Sequence, residues 1–400
     1  MVAVFDTWPV RQLTNVRAPA LNGNPSLQAA VANQLATVVD CLAGVPPGGL
    51  PCGQYLLGNP SPILPPYDMS DHGLFITDVI KDIAPNAEVR VYRVMTDEGV
   101  GDLDVLSQAV RDAIDYVGQE QRDKGLERPR PLVLNFSLGI APQLLLLKQL
   151  WNDPGRYYQN PRDLIDAING LKTPVTPPSP NQPEPVDSEV ATLRDGGFIA
   201  RDENRFTGVL GPVEKIFSFG GLERVLAIAA SGNDSAGDRR RFGPRLPAAC
   251  EGVLAVSAVA GNQAPPRGFW ARLWRRLPSR GSNRRPLRAS YYSNIDDFFA
   301  DNDGISAVGG EAMNGQSSTN ATTALVGLYA SENVPPGSTT VNDAGWAAWS
   351  GTSFAAPVAV GFAAALWSEQ PDLSALQVRK YILYDPATKQ DRDVLPFVQQ

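Results

Sequence analysis

The sequence predicts an α/β fold in which a mainly parallel central sheet is covered by helices on both faces, forming a three-layer sandwich. Apolar, β-rich segments alternate along the chain with segments of helical periodicity, and this alternation is typical of parallel sheets. Residues 101–117 carry apolar side chains at three- and four-residue spacings, which predicts an amphipathic helix. The predicted strands are Val2–Phe5, Val89–Val94, Leu132–Phe136, Val225–Ala230 and Val253–Val259. In such sheets, functional groups gather beyond the carboxyl ends of the strands.

Length and composition agree with this fold class. The chain has 400 residues, of which 43% are hydrophobic and 19% charged, so it can bury a sizeable core. We expect one domain over residues 1–400, with insertions. No stretch of the sequence is long and apolar enough to span a membrane. The net charge of −7 argues against a dedicated nucleic-acid binder.

Two segments interrupt the alternation of strands and helices. Residues 141–221 include a proline-rich stretch, 173–185, which can form neither a helix nor a central strand. We interpret 141–221 as an insertion or lid. Residues 267–288 contain eight arginines and three aromatic residues. Either segment could bind a regulatory protein partner. Residues 267–288 could also contact anionic lipid or nucleic acid, and a solvated surface loop is an equal alternative for them.

The cysteines and the N-terminus bear on the cellular compartment. Three cysteines are not a disulfide framework. Cys41 and Cys52 are close enough in sequence to bridge, leaving Cys250 over. We favour three reduced thiols, and the pairing of Cys41 with Cys52 stays open. Because the N-terminus has no signal-peptide pattern, we expect a cytoplasmic protein, with a processed form or an excised module as the alternative.

His72 is the only histidine of the chain. It lies in sequence between Asp6, which follows the first predicted strand, and Ser353, which follows a Gly-Thr pair near the C-terminus. A serine hydroxyl needs a base in hydrogen-bond reach, and the base needs a group that fixes its tautomer. We predict that Ser353 is the nucleophile, His72 the base and then the acid, and Asp6 the orienting carboxylate. Taken singly, Asp6 could be a turn residue and His72 a surface side chain.

Two further features concern the negative charge that would develop on the substrate. Ser353 is predicted to open an alanine-rich helix, 353–368, with Pro357 in the first turn, where its missing N–H has no consequence. Unpaired donors and the dipole at this terminus suit an oxyanion, although an ordinary N-cap serine is the alternative. Asn233 ends the strand Val225–Ala230, and its amide could donate to the same oxyanion; a Gly-Asn turn is the alternative.

Together these segments resemble the subtilisin-like serine proteases, the subtilases. Residues 351–357, Gly-Thr-Ser-Phe-Ala-Ala-Pro, are similar to the serine signature of the family. Residues 2–7 resemble its aspartate motif, 71–73 its His-Gly motif and 230–233 its oxyanion motif. The chain order Asp, His, Ser is also that of subtilisin. The resemblance covers nearly the whole chain apart from 141–221, the arginine-rich loop and the region around 19–66.

The resemblance implies a subtilisin-like fold and an endopeptidase that forms an acyl-enzyme on peptide or protein substrates. By the same resemblance, Ser137, Leu138 and Gly139 would bind the substrate backbone by β-addition and line the first specificity pocket. Ser231 and Gly232 would help to form the floor of that pocket. The alternative for 137–139 is a plain transition from strand to loop.

The sequence departs from the family pattern at two places near the predicted base. Trp8 stands where the family has glycine after Asp-Thr, and Leu74 stands where it has threonine after His-Gly. The chemistry requires no cofactor. Family members often bind calcium, but residues 301–304, Asp-Asn-Asp-Gly, lack the spacing of a helix-loop-helix calcium motif, so we identify no metal site.

Two other functions remain open from the sequence. One is a catalytically silent pseudoprotease that keeps the cleft and binds peptides without turnover. The other is a partner-regulated intracellular protease that cleaves few targets, with access controlled through 141–221 or 267–288.

Overall fold

A seven-stranded parallel sheet forms the centre of the protein. The structure, a computed structural model, describes residues 1–42, 69–101, 103–139, 222–233, 235, 244–248, 250, 252–260, 289–294, 304–311, 324–334, 339–385, 390–391 and 395. The strand order in the sheet is β2-β3-β1-β4-β5-β6-β7. These strands are β1 Val2–Asp6, β2 Thr37–Asp40, β3 Val89–Arg93, β4 Leu132–Phe136, β5 Val225–Ala230, β6 Val253–Val259 and β7 Ile305–Val308.

Helices cover both faces of the sheet. They are α1 Val10–Thr14, α2 Ala18–Gly23, α3 Pro25–Val31, α4 His72–Ile83, α5 Leu103–Lys124, α6 Thr352–Glu369 and α7 Ala375–Leu383. On one face, α4, α6 and α7 pack with Val2 and Val4 of β1; on the other, α5 packs with Ala3 and Phe5. Because successive strand residues point to opposite faces and both faces are covered, the central strands β1, β4 and β6 are buried along their whole length. The predicted three-layer α/β fold is therefore confirmed.

Two antiparallel strand pairs complete the described structure. One joins β8 Leu325–Leu328 to β9 Trp346–Trp349, and the other joins β10 Tyr384–Asp385 to β11 Gln390–Asp391. The β8–β9 pair lies directly before α6 in the chain and contributes to the core that covers α4.

Several boundaries differ from the sequence predictions. The first strand includes Asp6 as its last residue, the predicted helix 101–117 runs from Leu103 to Lys124, and the alanine-rich helix begins at Thr352. Trp8 is buried in the core beside the sheet, so its ring packs inward. The segments 141–221, 173–185 and 267–288, and residues 301–303, lie outside the described residues.

Cys41 and Cys250 form no disulfide, and Cys52 lies outside the described part of the chain. Burial and nearby carboxylates raise the pKa of the Cys41 thiol to about 11, so the thiol stays protonated at neutral pH. None of the described helices is long and apolar enough to cross a membrane.

Candidate active site

The end of β1 and the start of α4 bring Asp6 and His72 together. Asp6 Oδ1 lies 2.8 Å from His72 Nδ1, and both side chains are buried. The same oxygen accepts the Thr7 backbone N–H at 2.8 Å. Because an ionised carboxylate only accepts hydrogen bonds, this contact places the proton of the neutral imidazole on Nδ1 and leaves Nε2 with a lone pair.

Thr7 fixes the distance between strand and helix. Its hydroxyl lies 2.8 Å from Met69 O and 3.0 Å from Ser70 O, and the Gly73 N–H approaches it at 3.2 Å. A Cβ on Gly73 would meet Thr7 O at 2.1 Å, far inside van der Waals contact. The close approach of the helix to β1 therefore requires glycine directly after the histidine.

Aromatic rings surround the imidazole. The ring centroid of His72 lies 5.1 Å from that of Phe354 and 5.8 Å from that of Trp349. Trp349 ends β9, and Phe354 belongs to the first turn of α6. These rings keep water from much of the imidazole and reduce its rotational freedom.

Two acidic side chains, one at the start of α4 and one within it, connect this helix by hydrogen bonds to β8 and the residues after it. The side chain of Asp71, the N-cap residue of α4, makes no capping bond to its own helix; it accepts the N–H groups of Ala330 at 2.6 Å and Ser331 at 3.1 Å. Asp78 accepts the Leu328 N–H at 3.1 Å. Burial, reinforced by the neighbouring carboxylate of Asp82, raises the pKa of Asp78 to about 8.

Ser353 is the second residue of α6 and is partly exposed, whereas Thr352 and Phe354 on either side are buried. The N-cap is Gly351, so the interpretation of Ser353 as an ordinary N-cap is excluded. Among the described contacts, no hydrogen bond joins Ser353 Oγ to His72. The contact of Phe354, the residue after Ser353, with the imidazole brings the start of α6 next to His72. Such bonds are often long before substrate binds.

The first turn of α6 leaves one amide available. The Gly351 N–H donates to Gly309 O, the Thr352 N–H to Asn233 Oδ1, and the N–H groups of Phe354 and Ala355 to Gly351 O. Within the part of the chain that the structure describes, only the Ser353 N–H of residues 351–355 has no acceptor. An unpaired amide at a helix N-terminus is suited to an anionic oxygen.

Asn233 lies beside this amide, three residues beyond β5. Its Oδ1 accepts both the Thr352 N–H and the Thr352 hydroxyl, each at 2.9 Å. Because both partners donate, the amide orientation is fixed and Nδ2 is left as a donor. Asn233 is exposed, so Nδ2 is accessible to a bound molecule. The Gly232 N–H donates to Thr352 Oγ1 at 3.1 Å and joins the end of β5 to the helix.

The residues after β4 lie next to the same helix. Ser137 is buried, and its hydroxyl donates to Ser353 O at 2.7 Å. Leu138 is half-buried and Gly139 is exposed. Ser231 is buried, with its hydroxyl donating to Asn294 O at 2.8 Å. The side chains of Ser137 and Ser231 therefore point inward.

Three contributors to the site were not predicted from the sequence. Thr352 orients Asn233, Trp349 packs on the imidazole, and the Arg245 side chain lies against Gly139, where a Cβ would be 3.3 Å from Arg245 Cδ. The Arg245 N–H also donates to Ser231 O at 2.8 Å. Thr352 is the middle residue of the Gly-Thr-Ser motif and Trp349 lies two residues before that motif, and this proximity was the available signal. Nothing local in the sequence indicated Arg245.

The match to a family model identifies the family to which the chain belongs. Residues 61–395 match the model of the subtilase family, Peptidase_S8. The chain belongs to the subtilase family. Membership identifies it as a serine peptidase by descent, and the match includes His72, Asn233 and Ser353, while Asp6 lies before the matched range.

Solved protease structures show a distant likeness to the chain. A lanthipeptide protease is 18% identical with a TM-score of 0.44, over 96% of this chain and 78% of that chain. The self-cleaved protease domain of PatA is 17% identical with a TM-score of 0.43, over 96% and 86%. The prenylagaramide maturation protease PagA is 18% identical with a TM-score of 0.40, over 98% and 86%. These likenesses are too distant to carry a functional argument. No curated protein sequence matches the chain.

A structural calcium ion would need a cluster of oxygen ligands. The described residues contain no group of three or more His, Cys, Asp or Glu side chains that could hold a metal ion. Within the described ranges, therefore, no such cluster can be assigned to a calcium ion.

Proposed function

We propose that the protein is a serine endopeptidase that hydrolyses peptide bonds through an acyl-enzyme on Ser353. The observation that carries the proposal is the buried 2.8 Å contact between Asp6 Oδ1 and His72 Nδ1 beside the first turn of α6. It leaves His72 Nε2 as the atom that can take a proton from a nearby hydroxyl.

In this proposal, Ser353 Oγ attacks the carbonyl carbon of the scissile bond while His72 Nε2 accepts its proton. The imidazolium that forms is stabilised by Asp6, then donates the proton to the leaving amine. Water enters, gives a proton to His72 and hydrolyses the ester, which returns Ser353 to its free form. The chemistry uses only side chains of this chain and water.

Two donors would stabilise the oxyanion of each tetrahedral intermediate. They are the Ser353 N–H, which lacks an acceptor among the described residues, and Asn233 Nδ2, which the Thr352 contacts leave available. Preorganised donors of this kind act without reorganisation as charge develops. The first turn of α6 therefore carries both the proposed nucleophile and one of the two oxyanion donors.

The substrate backbone is proposed to pair with the segment Ser137, Leu138 and Gly139 and to run past Ser231 and Gly232. Because the Ser137 and Ser231 side chains are turned inward, main-chain groups of these segments would make the contacts. The exposed Gly139 leaves room for an extended peptide next to β4.

The test is digestion of a library of peptides blocked at both termini, with cleavage sites read by mass spectrometry. Blocked termini exclude exopeptidase action. We expect wild type to cut internal bonds and Ser353→Ala to cut none. Intact peptides after incubation with folded wild type would contradict the proposal, and equal cleavage by Ser353→Ala would assign it to another residue or a contaminant.

A further inference from the structure

Pro357 removes a hydrogen bond from the peptide group of the proposed nucleophile. Counting from Thr352, Pro357 is the sixth residue of α6, so the prediction that it lies in the first turn is wrong. In an α-helix the N–H of residue 357 would donate to the carbonyl of residue 353. Proline has no N–H, so the Ser353 carbonyl lacks its usual partner within the helix.

Ser137 supplies the missing donor from a different element. Its Oγ lies 2.7 Å from Ser353 O, although the two residues are 216 positions apart. A carbonyl oxygen only accepts, so the single hydroxyl proton of Ser137 is committed to this contact. Ser137 is 2% exposed, so water does not compete for the contact from bulk solvent.

Asn135 completes a directed series of donors. Its Nδ2 lies 3.1 Å from Ser137 Oγ, and Asn135 is fully buried on β4. Since the Ser137 proton is used at Ser353 O, Asn135 must donate to Ser137 rather than accept from it. Asn135 therefore orients the Ser137 hydroxyl, which in turn holds the Ser353 carbonyl.

We propose that Ser137 is a positioning residue for the nucleophile and that Pro357 keeps the Ser353 carbonyl free for it. The inference rests on the proposed function and adds a component of its machinery. When the Ser353 carbonyl is held, the peptide plane that follows its Cα is held too. This sets the direction in which the Cα–Cβ bond, which carries Oγ, leaves the helix. The side chain of Ser137 contacts neither the scissile bond nor the reacting atoms.

The test measures the rate of covalent labelling by a fluorophosphonate probe in wild type and Ser137→Ala. We expect labelling to slow by about 10- to 100-fold, the size of effect that a misplaced catalytic group produces. The pH dependence of labelling should keep its midpoint, because the Asp6–His72 contact is untouched. Ser137→Cys, which keeps a weak donor of similar size, should lie between the two.

A rescue separates positioning from general stability. Pro357→Ala introduces an N–H that can donate to Ser353 O inside the helix. The loss caused by Ser137→Ala should therefore be smaller in the Pro357→Ala background, as a double-mutant cycle measures. Ser257→Ala is the matched control: Ser257 is a buried serine whose hydroxyl pairs with Ser306 at 2.6 Å on β6 and β7, away from the nucleophile. It should lower Tm without slowing labelling.

The outcomes are distinguishable. Unlabelled, folded wild type would contradict the proposed function itself. Labelled wild type with an unchanged rate in Ser137→Ala, an equal loss in Ser257→Ala, or no rescue by Pro357→Ala would overturn this inference alone. If Ser137→Ala fails to fold, Ser137→Cys and the double variant carry the comparison.

Discussion

The first turns of α4 and α6 are in contact with each other but hold their chemical groups in different ways. On α4, the imidazole of His72 is held by its side-chain atoms, with Asp6 on Nδ1 and the rings of Trp349 and Phe354 around it. On α6, Ser353 is held through its backbone, since Ser137 anchors its carbonyl and its side chain is partly exposed.

This difference matches the demands on a base and on a nucleophile. A histidine base must start from one tautomer and keep its ring orientation as it gains and loses a proton, which requires contacts to its ring. A serine nucleophile must keep its Oγ free for substrate, so contacts to its peptide group are the ones that can position it. Substitutions on the α4 side should therefore alter proton transfer or the helix itself, and those on the α6 side should alter position and oxyanion binding.

The largest expected effect compares one glycine from each helix start. Gly73→Ala places a Cβ 2.1 Å from Thr7 O, whereas the nearest atom to a Cβ on Gly351 is 3.4 Å away. We expect Gly73→Ala to displace α4 from β1 and abolish labelling and cooperative folding. Gly351→Ala should fold with a Tm close to wild type. Thermal unfolding by circular dichroism checks both, and a stable, active Gly73→Ala would break the comparison.

Next in size is Asp6→Asn, which removes the acceptor that fixes the His72 tautomer. An asparagine in this role typically lowers kcat by about 10⁴-fold with the geometry intact. We expect a loss of this order in hydrolysis of a blocked peptide, with the fold retained. A loss below tenfold in a folded variant would show that Asp6 does not orient the base.

A smaller loss is expected on the α6 side from Asn233→Ala. Removing one oxyanion donor costs about 10²- to 10³-fold in kcat, with KM little changed. Thr352→Val leaves Asn233 in place but removes the hydroxyl that donates to its Oδ1, so its effect should be weaker than that of Asn233→Ala. Steady-state kinetics on one peptide test the order, and a larger effect from Thr352→Val would contradict it.

The smallest expected effect concerns Asp78, which joins α4 to β8 but takes no part in the proposed chemistry. The folded pKa of Asp78 is about 8, above the unfolded value of 3.8, so the folded state retains a proton that the unfolded state releases between these values. Stability therefore falls as pH rises from about 4 to 8. Asp78→Asn, which stays neutral, should have the smaller loss of Tm between pH 5 and pH 9, by about 2–4 °C. Equal pH dependence in both proteins would contradict this assignment.

The sheet could be predicted from the sequence because its strands are continuous apolar runs. The five predicted strands all form, within a residue of their predicted ends. β2 was not predicted, since Thr37–Asp40 is short and partly exposed at the edge of the sheet. The β8–β9 pair was also not predicted, because β8 is four residues long and contains Gly327, and the close packing of that glycine on the ring of Phe75 is not visible in the sequence.

The sequence motifs and their order indicated the candidate site residues. The structure places Asp6 beside His72 and Asn233 beside Thr352. The inward orientation of Ser137 could not be predicted, because it depends on a carbonyl 216 positions away. The place of Pro357 was mispredicted because the helix starts one residue earlier, at Thr352, whose N–H donates to Asn233, a residue 119 positions away that the local sequence does not reveal.

The most direct test of the central claim is covalent labelling of wild type and Ser353→Ala by a fluorophosphonate probe, read by intact mass and peptide mapping. If Ser353 is an activated serine, wild type should gain one adduct, located on Ser353, and the variant should gain none. Folded wild type without an adduct, or an adduct at another residue that persists in Ser353→Ala, would contradict the account.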